Sequence, residues 1–389
     1  MTVVFLILAG FFGWLAFERR TLTRRRARIP VRICVTGTRG KSTVTRQIAA
    51  ALRASGRKVL AKTTGSKPVL ILPDGSEREI RRPGTPSVLE QKRVLGLAAR
   101  LGADALVAEM MSIGPECLAV ESGRIFQPSV LVLTNVRLDH EEEMGGTVEA
   151  VARSLSAAIS PGSTIFIPAA ERYPVFDARV RHTGGRILSP TSASGEPAAS
   201  GLDFPENLQL SLSVAEHLGI DSKTAFEGIS RARPDFGGLR AFQIDSPISG
   251  RAWRFISLFA ANEPESTALA MDRVRACLPF QGRRAIVLLN LRPDRASRTR
   301  RWLEAVSEGF FSGFDRVVFI GEQASALGRK RFPGGKTCAS IRAQSAERVM
   351  AELWPMSGEE TVVVGAGNIA GIGRELVELW EKKGATIAC

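Results

Sequence analysis

The segment VTGTRGKSTV, residues 35–44, has the residue types and spacing of a phosphate-binding loop. It follows a β-branched run and precedes a stretch whose apolar residues recur at helical spacing. Gly37 and Gly40 would let backbone N–H groups turn inward onto phosphate oxygens at the start of a helix. Val35 stands where the eight-residue P-loop pattern has its first glycine, so the match is incomplete. The alternative is an ordinary strand-to-helix turn capped by Ser42.

The loop residues would share the binding of a nucleotide. Lys41 would reach the β- and γ-phosphates of ATP, and the Ser42 hydroxyl would ligate Mg²⁺. Lys41 is also a predicted catalytic residue, because a cation there neutralises charge on the transferring phosphoryl group. We expect the ATP-binding residues of the loop to be Gly37, Thr38, Arg39, Gly40, Lys41, Ser42 and Thr43.

An acidic residue and a histidine follow later strand-like runs. Glu109 stands near the end of ALVAEM, residues 105–110, where a carboxylate is out of place unless it faces a cation or water. In an α/β sheet, that strand end opens onto the ligand crevice. With His140, which closes TNVRLDH, Glu109 would hold a second Mg²⁺ or Mn²⁺ and take part in catalysis. The alternatives are a structural histidine and a solvated acidic helix start at DHEEE, residues 139–143.

The elements around these residues predict an α/β fold. Short β-branched runs alternate with amphipathic stretches, which favours a mainly parallel sheet flanked by helices. Pro and Gly cluster in RARPDFGGLR, residues 231–240, where we place a domain boundary. Predicted strands cover 32–36, 105–110, 130–135, 164–168, 285–290, 316–321 and 361–366. Predicted helices cover 42–54, 87–101, 147–159 and 208–218.

The N-terminal region predicts a membrane anchor. Residues 2–17, TVVFLILAGFFGWLAF, are apolar, and seven arginines follow between Arg19 and Arg32. Basic residues on this flank keep the following chain in the cytoplasm under the positive-inside rule. The alternative is a buried or surface amphipathic helix. We predict a transmembrane anchor at 1–18, a basic juxtamembrane linker at 19–30, a P-loop ATPase domain at 31–237 and a smaller, Rossmann-like α/β domain at 238–389.

Composition narrows the function classes. The net charge of +14 over 389 residues calls for an acidic partner. A nucleic acid is not expected, because no recognition motif accompanies the arginines and the chain has one Tyr to stack on bases. The five cysteines form no CxxC pair and there are three histidines, which disfavours a Cys/His zinc site and fits reduced cytosolic thiols.

GTRGKST, AEM and TNVRLDH, in this order and spacing, resemble the ATPase domain of the Mur ligase superfamily. The family pattern is matched at Gly37–Ser42, at Glu109 and at Thr134–His140. One departure is Glu142, where the family usually has an Asp. The later segment FPENLQLSLSVAEHLGI resembles the one whose asparagine contacts adenine, which implies that role for Asn207.

A narrower resemblance is to the ligase subunits of bacterial poly-γ-glutamate synthases, which begin with a membrane anchor. It extends to AKTTGS, EQK, FAANEPEST, LLNLRPDR and VGAGNIAGIG. The resemblance implies that Arg240, Asp294 and Arg295 of the C-terminal domain bind ATP and that Asn262 lies in the substrate cleft. It also implies a location at the bacterial cell membrane and integral-membrane synthase or export subunits as partners. We further expect a homo-oligomer.

The resemblance implies an ATP-dependent acid–amino-acid ligase. The γ-phosphate of ATP would pass to the γ-carboxylate of glutamate or of a growing poly-γ-glutamate chain. The amino group of another glutamate would then displace phosphate from the acyl phosphate. The alternatives are a folylpolyglutamate-type ligase and a membrane-tethered P-loop ATPase or scaffold. A GTPase-type switch is disfavoured because the NKxD motif is absent from the sequence.

The glycine-rich stretch TVVVGAGNIAGIG offers a second nucleotide motif. Gly365, Gly367 and Ala370 fit G-x-G-x-x-(G/A) after a strand. A dinucleotide fold also needs a second strand that ends in an acidic residue about 20 positions later, and GATIAC supplies none. We therefore expect this turn to pack near the substrate cleft rather than to bind NAD.

Overall fold

The computed structural model describes residues 2–82, 84–190, 204–294, 296–322, 324, 337–342 and 344–387. The chain forms two compact units that divide between Asp235 and Phe236, which we call the N-terminal and the C-terminal unit. The boundary predicted from the sequence lay between residues 237 and 238. Each unit is an α/β structure with a mostly parallel sheet, as predicted.

The first helix, α1, covers Thr2–Ala27. It is long and apolar enough to cross a membrane, and its residues 2–17 are exposed. The segment 19–30, predicted as a linker, is helical as far as Ala27, because arginine is a good helix former and the first proline comes at Pro30. Leu22, in this arginine-rich part, is buried in the hydrophobic core of the N-terminal unit.

The N-terminal unit contains a sheet with a central block of parallel strands. The strands are β1 (Val31–Thr36), β2 (Val59–Lys62), β3 (Val69–Ile71), β4 (Glu77–Glu79), β5 (Ala105–Glu109), β6 (Val130–Leu133), β7 (Thr164–Phe166) and β8 (Arg186–Leu188). Among the described residues their order is β4-β3-β2-β5-β1-β6-β7-β8, and β3 and β4 are antiparallel to their neighbours. Because β1 lies between β5 and β6 in parallel register, their carboxyl ends meet at one edge of the sheet.

Helices cover both faces of this sheet. They are α2 (Lys41–Ala54), α3 (Leu89–Leu101), α4 (Pro115–Val120), α5 (Glu141–Met144), α6 (Val148–Ser156), α7 (Pro174–Thr183), α8 (Pro205–His217) and α9 (Ser222–Ser230), with a π-helix at Glu121–Phe126 and a 3₁₀ turn at Ala169–Glu171. Side chains alternate along β1, so that Ile33 and Val35 pack with α2, α8 and α9. Cys34 packs on the opposite face with α3, the π-helix, α6 and α7.

The C-terminal unit has its own sheet and core. Its strands are β9 (Arg240–Asp245), β10 (Ala252–Ser257), β11 (Arg284–Asn290), β12 (Arg316–Ile320), β13 (Thr337–Ser340), β14 (Thr361–Gly367) and β15 (Ala385–Thr386). Their order in the part of the chain that the structure describes is β13-β12-β11-β14-β10-β9-β15, with β9 and β15 antiparallel to their neighbours. The helices are α10 (Pro264–Cys277), α11 (Ala296–Ser307), α12 (Ala346–Leu353) and α13 (Ile372–Lys383), with 3₁₀ turns at Phe259–Ala261 and Trp354–Met356. Trp253, Phe255 and Trp380 are fully buried in its aromatic core.

Candidate functional site

The phosphate loop, residues 37–40, connects β1 to α2. Gly40 precedes the helix in the left-handed conformation with φ 79°, and Gly37 has φ 121°. A Cβ atom at Gly40 would lie 2.7 Å from Oδ1 of Asn207, and one at Gly37 would collide with the Thr134 hydroxyl. Both positions therefore require glycine for backbone conformation and for space.

The segment after β6 holds this loop in place. The Thr134 hydroxyl donates to the carbonyl of Arg39 at 2.6 Å. The Asn135 side chain accepts from the Thr38 hydroxyl at 2.7 Å and from the Arg39 N–H at 3.0 Å, and its Nδ2 donates to the Arg39 carbonyl at 3.1 Å. These two side chains are available because β6 ends at Leu133, earlier than the predicted strand. The loop backbone is thereby fixed before any ligand binds.

Lys41 places an ammonium group over the loop. Its Nζ donates to the carbonyls of Gly37 at 2.6 Å and Thr38 at 3.2 Å. Burial lowers the pKa of Lys41, and the negative charges of Glu109 and Asp139 act in the opposite direction. A cation in a partly dry site at a helix N-terminus is suited to a phosphate group.

Glu109 lies at the end of β5 with its carboxylate 2% exposed and hydrogen-bonded through both oxygens. Oε2 accepts from the Ser42 hydroxyl at 2.7 Å and from the backbone N–H of Thr64 at 2.7 Å. Oε1 accepts from the Thr64 hydroxyl at 2.8 Å. Thr64 reaches the carboxylate because β2 runs parallel beside β5. Gly65 allows the same loop to pass close to Ser42, since a Cβ there would lie 2.7 Å from the serine Oγ.

These groups fit a divalent cation bound together with a nucleotide. Mg²⁺ prefers oxygen ligands and is usually held by one or two protein side chains, water and substrate phosphates. The Ser42 hydroxyl and the Glu109 carboxylate supply two such oxygens beside the phosphate loop. Among the residues that the structure describes, no group of three or more His, Cys, Asp or Glu side chains could hold a metal ion. With the two oxygens of Ser42 and Glu109, the site suits a metal that nucleotide oxygens help to bind.

His140 lies at the start of α5 with φ 49°. Its Nε2 is 3.8 Å from Asp139 Oδ1, and its Nδ1 is 3.9 Å from Glu143 Oε2. Asp139 in turn lies 3.7 Å from the Arg39 guanidinium of the phosphate loop. The acidic partners of the imidazole are therefore Asp139 and Glu143 rather than Glu109. The role of His140 as a metal ligand stays a prediction.

Asn207 lies in the first turn of α8, against the phosphate loop. It is buried. The Ser211 hydroxyl lies 2.8 Å from both the Asn207 backbone carbonyl and the Gln47 side-chain carbonyl of α2, and its one proton is shared between these two acceptors. The structure thus brings Asn207 together with Gly40. Its predicted contact with adenine stays a prediction.

Two of the residues predicted to bind ATP from the C-terminal unit form ion pairs within that unit. Arg240 begins β9, where its guanidinium lies 2.9 Å from Glu381 and over the ring of Phe242. Asp294 accepts hydrogen bonds from the Arg292 guanidinium at 2.8 and 2.6 Å. Arg295 lies outside the described residues. The nucleotide contacts of these side chains stay predictions.

Asparagine side chains and backbone groups order two turns of the C-terminal unit. Asn262, predicted for the substrate cleft, has φ 65°, and its carbonyl accepts from the indole N–H of Trp302 at 2.8 Å. The glycine-rich turn after β14 is held by Asn290, whose amide donates to the carbonyls of Asn368 at 2.5 Å and Ala370 at 3.0 Å. Asn262 is thus fixed through its backbone, and its contact with substrate stays a prediction.

Sequence reasoning missed the residues that hold Glu109. Thr64 and the buried Gln91 and Glu121 surround the end of β5 but belong to three separate segments. A signal was present, because AKTTGS and EQK are among the stretches that carried the narrower resemblance. The spacing within those stretches did not say which side chain would face the carboxylate.

Comparisons with known proteins show the family of this chain. The Mur ligase middle domain matches residues 35–193, and the poly-gamma-glutamate synthase CapB C-terminal domain matches residues 244–383. The chain is 31% identical over 386 residues to "Capsule biosynthesis protein CapB" of Bacillus anthracis, covering 97% of this chain and 81% of that protein. It is 30% identical over 371 residues to "PGA synthase CapB" of Bacillus subtilis (strain 168), covering 93% of each. The chain belongs to the CapB family. It is therefore an ATP-dependent amide ligase of the Mur ligase type, as predicted.

Solved structures show the same fold at lower identity. E. coli FolC in complex with DHPP and ADP has a TM-score of 0.61 at 17% identity, with 93% of this chain and 91% of that chain covered. The folylpolyglutamate synthase/dihydrofolate synthase of Yersinia pestis with AMPPNP and Mn ion has a TM-score of 0.63 at 14% identity, with 95% and 97% covered. MurF from Acinetobacter baumannii has a TM-score of 0.65 at 16% identity, with 92% and 79% covered. These matches confirm the predicted Mur-ligase-type α/β fold.

Proposed function

We propose that this ligase joins glutamate residues through γ-amide bonds, for the synthesis of capsular or secreted poly-γ-glutamate. The names of the two CapB relatives support this substrate class. The observation that carries the chemistry is the 2.7 Å contact between Ser42 and Glu109 beside a phosphate loop with a half-buried lysine. This arrangement suits the transfer of a phosphoryl group between two anions.

The reaction has two steps. A γ-carboxylate oxygen of the acceptor chain attacks the γ-phosphorus of ATP, the bond to the bridging oxygen breaks, and ADP and an acyl phosphate form. The amino group of an incoming glutamate then attacks the acyl carbon, loses a proton and displaces inorganic phosphate. Activation as an acyl phosphate is needed because a carboxylate oxygen is a poor leaving group.

The side chains of the N-terminal unit act mainly through charge and position. Lys41 and the backbone N–H groups of residues 37–40 hold the β- and γ-phosphates and reduce the repulsion between the two anionic reactants. Because Ser42 and Glu109 are in contact, we propose that both would hold one Mg²⁺, or Mn²⁺, with the phosphates, instead of the second ion predicted from the sequence for Glu109 and His140. The bound metal ion supplies positive charge next to the transferring group. His140, Asn207 and the C-terminal residues Arg240, Asp294 and Arg295 are proposed to complete the metal and nucleotide contacts, and Asn262 the substrate contacts.

We further propose that α1 spans the cell membrane once and that both units lie in the cytoplasm. The exposed apolar residues 2–17 and the arginines that follow them support this orientation. The partners are integral-membrane synthase or export subunits, and the enzyme is a homo-oligomer. The net charge of +14 suits a polyanionic product.

The test is phosphate release from ATP by the full-length protein in lipid nanodiscs. D-glutamate, L-glutamate, short γ-linked oligomers and a reduced folate are compared as acceptors. We expect release to depend on glutamate or its oligomers and to fall about 100-fold or more in Lys41→Ala and Glu109→Ala. Lys58→Ala and Glu116→Ala, at exposed positions of the same unit, are the matched controls.

Two outcomes would point to the other candidate functions. Release that depends on the folate and not on glutamate oligomers would identify a folylpolyglutamate-type ligase. Release that is indifferent to every acceptor, also after the membrane partners are added, would identify an ATPase or scaffold. Either result would refute the proposed function.

A further inference from the structure

The first turn of α3 brings three successive side chains to three different parts of the N-terminal unit. Glu90 pairs with Lys62 at the end of β2. Gln91 donates to the backbone at the end of β5. Lys92 pairs with Glu18 of α1. This turn is separate from the phosphate loop and the metal-binding oxygens, and the chemistry proposed above does not use it.

Gln91 fixes the backbone at and after Glu109. Its side chain is fully buried, and its Nε2 donates to the Glu109 carbonyl at 3.2 Å and to the carboxylate of Glu121. Glu121 is also fully buried and accepts from the N–H groups of Met111 at 3.1 Å and Ser112 at 2.9 Å. A buried polar network centred on Gln91 therefore helps to hold the Glu109 main chain, in addition to the pairing of β5 with β1.

Glu90 fixes the other strand that holds the Glu109 side chain. Its carboxylate lies 2.9 Å from Nζ of Lys62, which is fully buried, and 2.8 Å from Nε of Arg82. Lys62 ends β2, and two residues later Thr64 binds both oxygens of Glu109. Both strand ends around the catalytic carboxylate are thus attached to one turn of α3.

The same helix is the surface on which α1 docks. Leu22 of α1 is 8% exposed and belongs to one hydrophobic cluster with Val94 of α3. The Arg25 guanidinium donates to the Lys92 carbonyl at 3.3 Å. A Cβ atom at Gly96 would lie 3.1 Å from that guanidinium, so the two helices pack closely. The Glu18–Lys92 pair adds a charged contact at the end of this interface.

We propose that docking of residues 18–26 of α1 onto α3 positions Glu109 for catalysis, with Gln91 as the positioning residue. A displacement of α3 would reach both strand ends, because Gln91 is closely packed in the interior and Glu90 is ion-paired with Lys62 and Arg82. Changes at the α1–α3 contact should therefore affect metal binding and turnover. The phosphate loop is held by Thr134 and Asn135, which follow β6, and these hydrogen bonds do not involve α3. The activity readout rests on the proposed function, whereas the nucleotide and metal readouts do not.

The experiment uses the full-length protein in nanodiscs. The first variant is Gln91→Met, which keeps the side-chain volume and removes the amide. The charge-reversal set is Glu18→Lys, Lys92→Glu and the double variant. Arg93→Gln, at an exposed position of the same turn, is the control. The affinity for a fluorescent ATP analogue is measured in EDTA and during Mg²⁺ titration, and glutamate-dependent phosphate release is measured alongside.

We expect Gln91→Met to raise about 10-fold the Mg²⁺ concentration that gives half of the maximal change in affinity for the ATP analogue. Loss of a residue that orients a metal ligand has an effect of this size. The affinity for the analogue in EDTA should stay within about twofold, since Gln91 hydrogen-bonds to Glu109 and Glu121 whereas other side chains hold the phosphate loop. Each single charge reversal should shift the Mg²⁺ dependence in the same direction by about two- to fivefold, and the double variant should restore it.

The proposal is overturned if Gln91→Met leaves the Mg²⁺ dependence unchanged or weakens metal-free nucleotide binding to the same extent. It is also overturned if the double reversal is no better than the single variants. If the wild-type protein shows no glutamate-dependent release, the proposed function fails. The Mg²⁺ dependence of nucleotide affinity in the same variants then still decides the positioning role.

Discussion

Valine at position 64 would keep the shape of the threonine side chain and remove its hydroxyl. The change deletes the 2.8 Å hydrogen bond to Oε1 of Glu109. It leaves the 2.7 Å bond from the Thr64 backbone N–H and the 2.7 Å bond from Ser42, both to Oε2. The carboxylate therefore stays in place but gains freedom to rotate about its remaining contacts.

The expected size of this effect follows from the charge on the acceptor. A hydrogen bond to a charged group contributes about 1.5–3 kcal/mol, roughly twice the contribution of a neutral one. If the lost contact orients the carboxylate in the transition state, Thr64→Val lowers kcat for phosphate release by about 10- to 100-fold. The KM for ATP should change little, since the phosphate loop is untouched.

The neighbouring threonine supplies the matched control. The hydroxyl of Thr63 is buried and has no hydrogen-bond partner among the residues that the structure describes. Removal of an unpaired buried hydroxyl costs no hydrogen bond, so Thr63→Val should keep wild-type kcat and an equal or higher Tm. Equal losses of kcat in the two variants, or no loss in Thr64→Val, would refute the assigned role of the Thr64 hydroxyl.

Three further predictions follow from the geometry. Gly40→Ala should weaken ATP binding about 10-fold by calorimetry, because alanine at φ 79° is strained by about 1–2 kcal/mol and its Cβ displaces the Asn207 amide. For Glu90, burial raises the pKa, but hydrogen bonds and charge from its two cationic partners outweigh burial and lower it from 4.5 to about 2. The stabilisation by its ionised form is therefore complete above pH 4.5 and is lost as the pH falls towards 2, so Glu90→Gln should show a shallower decline of unfolding free energy over that range in urea titrations. Cys117 is an exposed free thiol, whereas Cys34 is buried and burial raises its pKa. The reaction of the protein with a thiol reagent should therefore lose a fast kinetic phase in Cys117→Ser and keep it in Cys34→Ser.

Local sequence patterns were sufficient to predict the phosphate loop and the strand ends around it. Lys41 and Ser42 follow β1 directly, so that strand, glycines and helix start could be identified within one short segment. Glu109 was identifiable because a carboxylate at the end of an apolar strand needs a polar partner. The fold class followed from the alternation of such strands with helices, and the comparisons confirm it.

The partners of Glu109 could not be predicted because they depend on strand order. Thr64 is 45 residues away in sequence and reaches the carboxylate only because β2 lies beside β5 in the sheet. Gln91 reaches the same strand end from α3. The short antiparallel strands β3 and β4, of three residues each, have too few residues to show a periodic pattern. The segment 19–30 was predicted as a linker because it is rich in arginine. As far as Ala27 it is instead part of a helix that packs through Leu22.

In the proposed membrane arrangement, the continuity of α1 would make the activity of the enzyme depend on bilayer thickness. The apolar residues 2–17 would span about 24 Å as a helix, less than the roughly 30 Å of a typical hydrocarbon core. A short span is accommodated by local thinning of the bilayer or by arginines that extend their guanidinium groups to the interface. Because Leu22 is buried in one cluster with residues of α3, such a mismatch would act on the docked end of a membrane-spanning α1. Nanodiscs of shorter-chain lipids should reduce this difference between helix length and bilayer thickness. Turnover of the wild-type protein should therefore change with the acyl-chain length of the lipid.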